Sequence, residues 1–137
     1  MSATTVPVPK LSWLFQLAAA GILGMTLPFK FSGAEESVQL FTDLGAEPYG
    51  RLGTGVLEAI AVILLVVLPL LGKRTAGLGG VLTMGLMGGA IFSHLTVLGI
   101  SYQGDPTLFV LAVVALVCGG LTAYFHRHSL PIIGDRF

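Results

Sequence analysis

The chain is short of most of what water-soluble chemistry needs. Of its 137 residues only 10% are charged, the seven basic and seven acidic side chains cancel, and there is a single cysteine. So little polar material cannot cover a soluble globule of this length, which excludes the soluble classes. A net charge of zero gives no field for a polyanion, so nucleic acid is excluded as a partner. A lone Cys118 rules out an intramolecular disulfide and a CxxC redox pair, and its apolar surroundings make it a small buried side chain. The apolar runs hold no GxGxxG or phosphate-binding loop, no paired histidines for haem and no cysteine cluster for iron and sulfur. No residue is therefore assigned as catalytic, as a metal ligand or as the attachment point of a covalent cofactor.

What is abundant is apolar, at 54% of the chain. Four runs, 11–29, 49–71, 76–100 and 107–125, are near the roughly 20 residues that cross a bilayer core. The predicted fold is all-α, an integral membrane four-helix bundle over residues 11–125, with an extended arm at 1–10 containing Pro7 and Pro9 and a tail at 126–137. The first run is long for a signal peptide and ends in Pro28-Phe29-Lys30 without a small-residue cleavage site, so it is expected to remain as a helix. Between the first and second runs, Ser32 is placed to cap a short helix with Glu35 and Glu36 in its first turn. Val38, Leu40, Phe41 and Leu44 give this helix an apolar stripe that stops at Gly45, so it should lie along the membrane surface.

Charge sets the expected orientation. Lys10, Lys73, Arg74, Arg127 and Arg136 share one side; Glu35, Glu36, Asp43, Glu47 and Asp105 share the other, with Lys30 and Arg51 close to helix ends. The positive-inside rule then puts both termini in the cytoplasm and the surface helix outside, as in a bacterial inner membrane protein. Trp13, Tyr102 and Tyr124 read as interfacial anchors. Small residues mark the expected contact stripes: Gly77, Gly85 and Gly89, beside Gly80 and Gly88, on the third helix, Ala112, Ala115, Gly119 and Thr122 on the fourth, and Gln16, Ala20 and Gly24 on the first. These glycines are read as packing residues, not as a ligand cradle.

Chemistry is expected where polarity interrupts the apolar runs. Glu58 lies in the middle of the run 52–71, where an ionisable group costs roughly 2.5–3.5 kcal/mol to insert and so faces inward with a partner. Counting by three and four places it on a stripe with Arg51, Thr54, Gly55 and Ala61. Arg51 is about 10 Å away along the axis, within reach through a water or Thr54. His94 lies about 9 Å in from the outer end of the third helix, a depth close to that of Glu58. A hydrogen bond or shared proton between the two would offset the burial of the carboxyl, either as a purely structural tie or as a functional one. Lys30 can either snorkel to the outer interface or join Arg51, Glu58 and His94 around a polar pocket roofed by the surface helix, suited to a carbonyl-bearing amphiphile.

These residues also carry a family resemblance. Lys30-Phe31 after the first span, the surface helix ending in Leu44-Gly45, the Gly55-Val56-Leu57-Glu58 approach to a buried glutamate, and Ala90-Ile91-Phe92-Ser93-His94-Leu95 in a glycine-rich third span resemble the DoxX family over most of the chain. The resemblance implies a four-helix membrane protein loosely associated with redox systems, since relatives include a small subunit of a thiosulfate:quinone oxidoreductase. The expected function is therefore an accessory or quinone- or lipid-interacting subunit of a larger, respiratory or redox membrane assembly, with membrane lipids and other membrane subunits as partners. The alternative is a stand-alone small-molecule or proton-coupled carrier using Glu58 and His94.

Overall fold

A computed structural model describes residues 10–129. The expected arm, apart from Lys10, and the tail beyond Ser129, Arg136 included, lie outside the described residues. Four helices are long and apolar enough to cross a membrane: α1 (Ser12–Ser32), α3 (Tyr49–Leu70), α4 (Ala76–Leu98) and α5 (Thr107–Phe125). A short α2 (Glu35–Asp43) joins α1 to α3. The protein is a multi-pass, all-α membrane bundle. Consecutive long helices run antiparallel around a square, with α1 against α3 and α5, and α4 against the same two. Lys10, Lys73, Arg74 and Arg127 consequently share one end of the bundle, and the acidic α2 lies at the other.

Lipid gives no hydrophobic drive to helix association, so the helices meet where side chains are smallest. The closest approach joins α4 to α5: a methyl group on Gly80 would lie 2.5 Å from the Gly119 carbonyl oxygen and 2.8 Å from the Ala123 nitrogen. On the α3 side of α4, a methyl on Gly79 would lie 2.9 Å from Leu65 Cγ. The α5 stripe is as expected, with Ala112, Ala115, Gly119 and Thr122 all buried. The expected α4 stripe is corrected, because nothing comes within 4 Å of a methyl placed on Gly85 or Gly89. Of the glycines expected there, Gly80 makes the close contact, joined by Gly79, and Gly77 is buried, while Gly85, Gly88 and Gly89 border open space. Ala19, Leu23, Ala61, Leu65, Met87 and Ala115 fill the core between.

Two helices widen locally into π turns, Ile63–Val67 in α3 and His94–Leu98 at the end of α4. In the first, the Leu68 amide bonds back to the Ile63 carbonyl, which frees the Leu64 carbonyl, and Pro69 has no N–H to offer Leu65. Two carbonyls are thereby released in an interior without water, where each needs a donor. Thr75 Oγ1 donates to the Leu64 carbonyl at 2.8 Å and Gln16 Nε2 donates to the Leu65 carbonyl at 2.7 Å. Gln16, expected only as part of a small-residue stripe, thus bonds α1 to α3.

At the α2 end of α1, Ser32 is not the cap of α2. It is the last residue of α1, which continues through Pro28 and stops at Gly33 with φ of 71°, a left-handed conformation that glycine adopts without a Cβ clash. The α2 cap position falls on Ala34 and carries no side-chain bond. Arg51 explains the extension: its guanidinium donates to the Lys30 carbonyl, one of the last α1 carbonyls and without a partner inside the helix.

Candidate functional site

Glu58 is 4% exposed and faces the bundle interior, as its stripe requires. One of its oxygens, Oε1, holds an ion pair with the Lys30 ammonium and lies 3.2 Å from Thr26 Oγ1, which shares its one proton between Glu58 and the Leu23 carbonyl at 2.9 Å. Lys30 and Thr26 are one helical turn apart on α1, so a single face of that helix delivers both partners. Of the two readings open for Lys30, the structure adopts the inward one: its side chain is 13% exposed, and Nζ lies 5.9 Å from the centre of the Phe41 ring. Phe41 is the buried residue of α2, so the same ammonium that neutralises Glu58 also holds the surface helix against the bundle.

Arg51 does not reach Glu58. Its Nε donates to both oxygens of Glu47 at 2.9 Å, and the pair bridges the chain just before α3 to the end of α1. Thr54, expected as a relay, donates to the backbone carbonyls of Gly50 and Arg51. His94 does not pair with Glu58 either. Its Nδ1 lies 2.9 Å from the Gly99 carbonyl and its ring meets Phe109 edge-on at 5.8 Å. The reason is local: the π turn at His94–Leu98 brings Gly99 back to His94, where the Gly99 amide also bonds the His94 carbonyl at 2.7 Å. A loop ends this helix and takes the imidazole for itself.

Lys30, Glu58 and His94 nevertheless border the same cavity of about 680 Å³ in the α2 half of the bundle. Leu23, Leu86, Ala90, Leu98 and Leu111 give it apolar walls, Thr26, Thr54 and Ser93 add hydroxyls, and α2 roofs it with Leu40 and Phe41. Arg51 is outside the lining. Gly85 and Gly89 are inside it, so their missing side chains widen the chamber. Phe29 on α1 and Leu108 on α5 line the chamber and are also exposed, as are Glu36, Gly85 and Gly89. The roof is latched by Tyr102, whose phenol donates to Asp43 Oδ2 at 2.5 Å from the loop between α4 and α5. Burial and that hydrogen bond push the Tyr102 hydroxyl up to about 12. In the same loop Asp105 accepts from the amide and hydroxyl of Thr107 at the start of α5, which holds its carboxyl below the usual range.

The opposite end carries a polar cluster that the chain's periodicity did not single out. Ser12 Oγ donates to Gln16 Oε1 at 2.7 Å, and His126 Nε2 lies 2.8 Å from Ser12 Oγ and 3.2 Å from Gln16 Oε1. Burial, and then the charge of Arg74, lower the affinity of His126 for a proton. Ser12 and Gln16 are separated by four residues, a signal available in the sequence, but their partner is 110 residues further on. Glu47 and Arg51 are likewise four apart, with Glu47 preceding α3. Among the described residues no group of histidine, cysteine and carboxylate side chains could hold a metal ion. Comparison of the chain with protein-family models, with curated proteins and with solved structures finds no match.

Proposed function

We propose that the protein binds the polar head of a lipid-soluble molecule, a quinone or a polar lipid, and serves as a small accessory subunit of a larger redox or respiratory membrane assembly. The observation that carries this reading is the chamber itself. About 680 Å³ lies within the usual range of ligand pockets, and its apolar walls converge on a few polar groups in the outer half of a membrane bundle. A long apolar tail would leave by the side where Phe29 and Leu108 are exposed, while the head meets Lys30, Glu58 and His94. The DoxX resemblance supplies the redox association, and the basic end of the bundle supports insertion in a bacterial inner membrane with both termini in the cytoplasm.

The test is purification from the native membrane in mild detergent, followed by mass spectrometry of co-extracted lipids and quinones and of accompanying subunits. Retention of a quinone or polar lipid that is lost in Glu58→Leu, together with redox subunits, is the expected result. A solitary protein that moves protons or solute in liposomes, with transport abolished by Glu58→Gln, would replace this reading with the carrier.

A further inference from the structure

The polar groups of the chamber are unequal in what they can offer. A carbonyl oxygen only accepts, so the 2.9 Å contact from His94 Nδ1 to Gly99 fixes the ring proton on Nδ1. In the neutral ring Nε2 is then a hydrogen-bond acceptor. Glu58 spends Oε1 on Lys30 and Thr26, and its other oxygen, Oε2, meets no donor among the described residues. Among the described residues no buried side-chain nitrogen or oxygen lacks a partner, so neither Nε2 nor Oε2 is sealed in the interior. Both residues are only 4% exposed, and both line the chamber. Two acceptor atoms without a partner among the described residues thus belong to residues of the chamber wall. Against them stands the Lys30 ammonium, with three N–H groups of which Glu58 takes one.

Charge narrows the ligand further. Lys30 is already neutralised by Glu58, and Glu36 in the roof adds a negative charge, so no net positive field awaits a phosphate or sulfate head. A group that only accepts hydrogen bonds, such as the carbonyls of an oxidised quinone, can satisfy Lys30 but leaves both acceptors unmatched. A hydroxyl can do both.

We infer that the chamber selects neutral amphiphiles whose head donates hydrogen bonds through hydroxyl groups, with His94 Nε2 and Glu58 Oε2 as the accepting atoms and Lys30 Nζ as the donor to the hydroxyl oxygen. This deepens the proposed function and rests on the chamber being a binding site. Two sources supply such a head: a long-chain hydroquinone, the reduced form of a quinone, or a glycerol lipid with a free hydroxyl.

The test uses the full-length protein in mild detergent and three probes, a decyl-tailed p-hydroquinone held reduced under argon, the corresponding p-quinone, and dioleoylglycerol, with affinities from calorimetric titration. The hydroquinone should bind at least about tenfold more tightly than the quinone, because a polar site discriminates strongly against a ligand that leaves its groups unpaired. His94→Phe, which retains an aromatic ring and removes the acceptor, should reduce that ratio severalfold. Displacement of the hydroquinone by dioleoylglycerol would identify glycerol hydroxyls as the source of the chemistry, and lack of displacement would identify the hydroquinone. Equal affinity for the two redox forms overturns the inference and leaves the chamber a binding site. Absence of binding by all three overturns the binding reading as well. The unsubstituted protein alone supplies the deciding ratio, so a His94 variant that fails to fold does not remove the test.

Discussion

Lys30→Met is the most informative single substitution, because methionine nearly matches the lysine stem while removing the charge that Glu58 faces. The two side chains are 13% and 5% exposed, well inside the range where breaking one half of an ion pair leaves an uncompensated charge at about 3–5 kcal/mol. Two features pull the figure to the lower part of that range: Thr26 can turn its hydroxyl proton from the Leu23 carbonyl fully to Glu58, and the chamber gives the carboxylate some access to water. We expect a loss of about 3 kcal/mol, which is several times the roughly 0.6 kcal/mol of an average interhelical hydrogen bond in a membrane protein. Adding Glu58→Leu should recover most of it. A residual deficit of about 0.5–1 kcal/mol should persist in the double variant, because the Lys30 contact with Phe41 is also gone. Reversible unfolding in mixed detergent and dodecyl sulfate micelles, followed by circular dichroism, gives the four corners of the cycle. A Lys30→Met loss below about 1 kcal/mol, or a double variant whose loss is the sum of the two single losses, would refute the reasoning.

Gln16→Leu should destabilise by about 1–3 kcal/mol by stripping the Leu65 carbonyl of its donor. Pro69→Ala should recover much of that loss, since it returns the missing N–H, yet change little in the unsubstituted protein; equal effects in both backgrounds would disprove the link. Gly80→Ala drives a methyl into the α5 backbone and should lose about 1–3 kcal/mol, whereas Gly85→Ala, which meets nothing, should stay within about 0.5 kcal/mol in the same unfolding assay. Tyr102 should titrate near 12 by ultraviolet absorbance, with its signal identified by loss in Tyr102→Phe. Because the folded value is raised, the latch contributes fully below about pH 10, the ordinary tyrosine value, and is lost as pH rises toward the folded one. A Tyr102 titration near pH 10 would remove the latch.

Much of this molecule can be read along one dimension. The four spans, the surface helix and the inward direction of Glu58 follow from hydropathy and helical period, because a bilayer demands long apolar helices and penalises a carboxyl that faces lipid. Lys30, Glu58 and His94 could be nominated for one pocket, because depth in a membrane is proportional to residue count. Partner choice could not be read in this way. Equal depth suited His94 to Glu58, but a π turn, visible only as backbone geometry, closes Gly99 onto the imidazole and leaves the carboxyl to Lys30. Arg51 lies on the Glu58 stripe yet turns to Glu47 and the end of α1, since that end has a carbonyl to satisfy and lies closer.

The same division separates the glycines. Composition marks α4 as a close-packing helix, but Gly79 and Gly80 touch neighbouring helices while Gly85 and Gly89 face a void, and only the rotation of α4 against α3 and α5 decides between these roles. Gln16 and Pro69 are 53 residues apart, and neither explains the other until α1 and α3 lie side by side. The amino-acid order sets which segments are helices and which residues must be buried, because those terms are local and additive. Which buried polar atom meets which is a contest among a few donors and acceptors at angstrom range, and that contest is decided only when all four helices are in place.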